Sequence, residues 1–141
     1  MRTFLAMSGD RRGTAAVEFA ILTPVFLLLM TGMLAYGFYF GAFHSLQQLA
    51  ADAARTAIAG LSEAERIRLV TAFITANGGD YLLIDGDNLR FTIVDKPEDP
   101  NEYRVTLSYD ATRLPIWDLY PPLPLPSQTI VVGSTIRKGG L

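Results

Sequence analysis

The chain contains no cysteine, which excludes disulfides, thiolate metal sites and cysteine nucleophiles and leaves the redox compartment open. Histidine occurs once, at His44, among apolar and amide residues, where it reads as a polar interfacial residue and not as a base or ligand. Charge is scarce: only 18% of residues are Asp, Glu, Lys or Arg, against 50% hydrophobic, an unusual balance for a fully soluble chain. The net charge of −2 lacks the basic footprint of nucleic-acid binding. No phosphate-binding loop or dinucleotide fingerprint is present. Asp85-Gly86-Asp87-Asn88 has the acid density of a calcium loop. It lacks the glycine at the sixth position and the acid at the twelfth, so it reads as a turn. No catalytic constellation is left, no cofactor is implied, and the chain reads as a non-enzyme.

The longest absence is of charge between Phe19 and Ala51, roughly 33 residues against the ~20 that cross a bilayer core. As one helix this run would reach about 50 Å at 1.5 Å per residue, more than the ~30 Å of hydrocarbon. The helix should therefore continue beyond the membrane. Its richest part is Ile21 to Tyr39; His44, Ser45, Gln47 and Gln48 make the later part amphipathic. Tyr36, Phe38, Tyr39, Phe40 and Phe43 suit the outer interface. Arg2, Arg11 and Arg12, opposed only by Asp10, precede the span. The positive-inside rule then puts the N-terminus in the cytoplasm and the C-terminal region outside. A cleaved secretory signal fits poorly, because its apolar region should be only ~7–15 residues long.

One acid, Glu18, stands at the mouth of this helix, five residues after Gly13. An acid at such a place is costly and calls for a reason. Glycine lets a chain be held extended or left-handed at a cleavage site, and Thr14, Ala15 and Ala16 are small. A cut after Gly13 would leave an ammonium on Thr14, one helical turn from Glu18, able to pair with it or with a neighbour's acid. Otherwise Glu18 simply sits at headgroup level. Further along, Gly37 and Gly41 form a GxxxG that Ser45 extends, a small face of the kind on which membrane helices pack. Pro24 removes one backbone bond, to the carbonyl of Ala20. The stripe Ala50, Ala53, Ala54 and Ala57 could meet a partner helix or the chain's own C-terminal domain.

Arg11-Arg12-Gly13 followed by Thr14-Ala15-Ala16-Val17-Glu18-Phe19-Ala20 resembles the N-terminus of TadE-like minor pseudopilins of tight-adherence (Flp-type) pilus systems. The likeness runs through Pro24, Leu27-Leu28-Leu29, Gly32 and Gly37, and resumes at Leu49-Ala50-Ala51-Asp52-Ala53-Ala54-Arg55. It covers about the first 60 residues well. The resemblance implies processing by a prepilin peptidase between Gly13 and Thr14, with Glu18 as the motif acid beside Phe19. It also implies other pilins or pseudopilins and inner-membrane pilus assembly proteins as partners, with the lipid bilayer around the helix.

Beyond Gly60 the pattern predicts a small α+β domain. Ser62 with Glu65 matches a capping box, Ile67, Val70, Phe73 and Ile74 recur on one helical face, and Asn77-Gly78-Gly79 supplies a stop. Leu89, Phe91 and Ile93 alternate with polar residues, as do Tyr103, Val105, Leu107 and Tyr109, which predicts a hairpin across the polar connection 95–102. A third strand is predicted from Thr129 to Ile136. The prolines between Leu114 and Pro126 forbid a regular helix or central strand there and favour extended geometry. That segment either covers the domain's own core or presents Trp117 and Tyr120 to a partner.

The expected architecture is a prepilin-type leader (1–13), a long transmembrane and assembly helix (14–60) and a periplasmic α+β domain with about three antiparallel strands (61–141). The expected role is a minor pseudopilin-like subunit for pilus assembly in a bacterial inner membrane. The alternative is an unrelated single-pass anchor that displays a small binding domain.

Overall fold

The computed structural model describes residues 11–95, 102–119 and 124–137. The first ten residues of the expected leader, the hairpin connection and Tyr120 lie outside the described residues. The described residues open with one helix, α1, Arg11–Ala57, of 47 residues. At 1.5 Å per residue it is about 70 Å long. Pro24 lies inside it without ending it, and the Thr23 hydroxyl donates to the carbonyl of Phe19 at 2.6 Å.

A tight reversal at Gly60 leads into α2, Glu63–Asn77. A Cβ on Gly60 would meet the Arg66 backbone nitrogen at 2.8 Å, so this turn closes only around glycine. Ser62 caps α2 by accepting from the Glu65 N–H at 3.2 Å, and Glu65 returns the favour to the Leu61 N–H at 3.0 Å. That is a capping box displaced by one residue from its usual reciprocal donor. The buried residues of α2 are Arg66, Val70 and Ile74, with Phe73 packed against the core; of the expected face only Ile67 turns outward, its place taken by Arg66. Arg66 takes that place because its long stem can lie along apolar surface; its guanidinium sits 5.6 Å from the centre of the Tyr103 ring.

Three strands follow, β1 (Leu89–Asp95), β2 (Glu102–Asp110) and β3 (Thr129–Arg137). They form an antiparallel sheet in the order β1-β2-β3. The register places Phe91 opposite Leu107, and Leu107 opposite Val132. Period-two alternation therefore puts Tyr103, Val105, Leu107, Tyr109, Ile130 and Val132 on one buried face. That face packs against α1. Asp85-Gly86-Asp87-Asn88 is a turn: Asp85 accepts from the Asp87 N–H, the Asn88 amide and Arg113.

The proline-rich crossing folds as turns over residues 115–118, where extended geometry was expected. Leu114 and Ile116 are buried, and Trp117, Leu119 and Leu125 pack against the core. The Trp117 indole N–H donates to the Ala111 carbonyl at 2.6 Å. The segment thus covers the domain's own core.

Candidate functional site

Helix α1 has two halves with different surroundings. From Gly13 to Leu34 no residue is buried. Phe19, Ile21, Leu22, Val25, Phe26 and Leu29 all stand free. From Ala35 to Ala57 the same helix carries the core: Ala35, Ala42, Leu46, Leu49, Ala50, Ala53, Ala54 and Ala57 are at most 1% exposed. Their spacing follows a single helical stripe. The alanines have no side chain beyond Cβ, so the sheet and α2 can approach the helix axis closely. The stripe Ala50, Ala53, Ala54 and Ala57 is therefore filled by the chain's own domain.

The join between helix and domain is locked by hydrogen bonds. Tyr103, fully buried, donates its hydroxyl to the Ala54 carbonyl at 2.6 Å. Ala54 lies in the last turn, whose carbonyls lack helical donors. The N–H of Ile58, which would have served it, goes to Arg55 instead. At the other end, Tyr36 donates to the Pro124 carbonyl at 2.5 Å. The domain therefore grips α1 from about Tyr36 to Ala57. Burial raises the Tyr103 phenol above its ordinary pKa, with Arg66 opposing it.

The bare half contains the expected processing and assembly residues. Gly13 is helical and nothing lies within 4 Å of the position a Cβ would take. Thr14, Glu18 and Phe19 are exposed on the same helix. A glycine costs about 1 kcal/mol in a helix relative to alanine, so Gly13 weakens the first turn of α1. Thr14 and Glu18 stand one turn apart, the spacing at which side chains meet on a helix surface. Along the bare half, α1 is long and apolar enough to cross a membrane.

The small face behaves differently along its length. Gly37 is open, Gly41 is half covered, and Ser45 lines an open cleft of mixed polarity. The occupant at Gly41 is Leu83 of the same chain, whose Cδ1 lies 3.0 Å from where a Cβ would stand. Leu83 has φ 64, a left-handed conformation that costs a non-glycine residue of order 1–3 kcal/mol. Surrounding bonds hold it there. Its carbonyl accepts from Tyr109 at 3.2 Å, and the Ile84 N–H closes a turn onto the Tyr81 carbonyl at 3.1 Å. The turn aims Leu82 outward, 73% exposed, beside an apolar groove lined by Met33, Leu34, Gly37 and Phe38. Sequence patterning missed this loop because two leucines in a short connection carry no period.

On the domain side of that loop lies an open cleft of about 740 Å³ between α1 and α2. At its centre Asp52 accepts from Arg55 at 2.8 Å and from the Tyr81 hydroxyl at 2.8 Å, one carboxylate oxygen each. Burial and the Asp52 carboxylate push the Tyr81 phenol up to about 12. Both Asp52 oxygens are engaged structurally, which ties α1 to the residues after α2. Among the described residues no group of three or more His, Asp or Glu is arranged to hold a metal ion.

The family described as TadE-like protein matches residues 13–55, which is the body of α1 from the expected cleavage glycine to its last turn. No curated protein and no solved structure matches the chain.

Proposed function

We propose, from the TadE-like segment at residues 13–55, that this chain is a minor pseudopilin-like subunit of a tight-adherence (Flp-type) pilus. The match suggests a Tad pilus-associated subunit, a structural and not an enzymatic role. The finer reading rests on one observation: the first half of α1 is bare over its whole length, and its one acid, Glu18, lies five residues after Gly13. A prepilin peptidase cuts after Gly13 on the cytoplasmic side. The new Thr14 ammonium then lies one turn from Glu18 and can pair with the Glu18 of a neighbouring helix or its own. The uncovered apolar half packs among other pilins, pseudopilins and inner-membrane assembly proteins in the bilayer. The domain, gripped to α1 by Tyr103 and Tyr36, rides on the periplasmic side, a placement supported by the arginines before the span.

Replacement of Glu18 tests this reading. Removing an acid from a membrane helix generally eases insertion. If the acid only sits among headgroups, Glu18→Ala leaves piliation intact. In the proposed role Glu18→Ala and Glu18→Gln both abolish surface pili while membrane abundance stays at the wild-type level. Normal piliation with Glu18→Gln would show that polarity suffices and that charge pairing plays no part.

A further inference from the structure

The lengths of the two halves of α1 do not match a bilayer if the domain stays in water. Glu18 is the last charge before the apolar run. With Glu18 at the inner boundary, the ~20 residues that span the hydrocarbon run from Phe19 to Phe38. The domain already covers α1 from Ala35. The two ranges overlap by about one helical turn, and any tilt of the helix lengthens the overlap. Whatever part of the domain lies beside Met33 to Phe38 is therefore held at the level of the outer acyl chains.

Two parts of the domain lie there: the chain at Pro124, whose carbonyl takes the Tyr36 hydroxyl, and the loop at Leu82 and Leu83, which is the more exposed apolar element. The loop borders the groove shared with Met33, Leu34, Gly37 and Phe38. Leu83 is tucked against Gly41 with a left-handed backbone, and the same turn leaves Leu82 exposed. A lone exposed leucine is ordinary. Leu82 is not alone: Met33, Leu34 and Phe38 are exposed beside it on α1, and the surface continues into the bare apolar half.

We propose that the Leu82–Leu83 loop is a membrane-dipping lip, inserted into the acyl region of the outer leaflet beside α1. The domain is thereby seated on the bilayer surface at a fixed height and not held off it on a stalk. The occupant of the apolar groove is lipid acyl chain. This inference rests on α1 spanning the membrane, and the experiment separates the two.

Because the chain has no cysteine, single spin labels can be placed without background. Leu82→Cys, Leu27→Cys and Leu61→Cys are labelled in the full chain and reconstituted into phosphatidylethanolamine–phosphatidylglycerol vesicles. Leu61 is the control, a leucine 95% exposed just beyond the far end of α1. Accessibility to oxygen, which concentrates in acyl chains, is compared with accessibility to a water-soluble nickel chelate. The lip predicts an oxygen-to-nickel ratio at 82 several-fold above that at 61 and approaching that at 27. Equal, water-like ratios at 82 and 61 with a lipid-like 27 overturn the lip and leave the span standing. Exclusion of both reagents from 82 also overturns it, by showing protein in the groove. A water-like ratio at 27 overturns the membrane-spanning reading itself.

Discussion

The bond from Tyr103 to the Ala54 carbonyl should be among the most costly single hydrogen bonds to lose in the domain. Tyr103→Phe keeps the ring, its packing and its place under Arg66, and deletes only the hydroxyl. The carbonyl left behind is in the last turn of α1, with the Ile58 N–H already given to Arg55. Leaving such a buried acceptor unsatisfied costs about 1–3 kcal/mol. With a urea slope of roughly 1–3 kcal/mol/M for a small domain, the midpoint should fall by about 1 M. The sole tryptophan, Trp117, reports the transition, because its indole N–H is held by Ala111 inside the fold. The assay is urea unfolding of the full chain in detergent, followed by Trp117 fluorescence. Tyr109→Phe is the comparison: its bonds, to the Leu83 carbonyl at 3.2 Å and from the Asp85 N–H at 3.3 Å, are longer, so its loss should be smaller. A Tyr103→Phe midpoint indistinguishable from wild type would refute the reasoning. It would mean that the Ala54 carbonyl finds another donor and that this bond does not fasten the domain to the helix.

Two other outcomes are expected. Tyr81 is held protonated in the fold, with a pKa of about 12 against the ordinary 10.0. Its contribution to stability is therefore complete below pH 10 and lost as pH rises towards 12. Unfolding curves measured across that window should fall less steeply for Tyr81→Phe than for wild type, the remainder belonging to the raised phenols of Tyr103 and Tyr109. For topology, a reporter active only in the periplasm should function when fused after Leu141, and activity of a cytoplasm-only reporter there would reverse the orientation.

The elements that repeat were legible in the sequence. The alternation through Phe91 and Leu107 marked the first two strands, a third was expected from Thr129 to Ile136, and the long uncharged run marked α1. What failed was local or depended on the third dimension. Ile67 fits the helical period, yet Arg66 is buried instead, because burial of a long stem depends on the ring opposite, Tyr103. The turns at 115–118 could not be read from prolines that exclude structures without selecting one. The alanine stripe at 50–57 admitted two partners, and only the fold shows the domain filling it. Of the site residues, Gly13, Glu18 and Phe19 were marked by an uncommon combination in a short motif. The partner of Gly41 was not, since Leu83 carries no signal in a loop 42 residues away.

The most direct test of the pilus reading is the mass of the chain isolated with its prepilin peptidase. The leader Met1 to Gly13 contains Arg2, Arg11, Arg12 and Asp10, a net +2, so its removal takes the side-chain charge from −2 to −4. Intact-mass measurement and N-terminal sequencing should find a mature chain that begins at Thr14, and the full-length chain when the peptidase is absent. A chain that still begins at Met1 in the presence of active peptidase, or one cut near Gly37, would contradict the account.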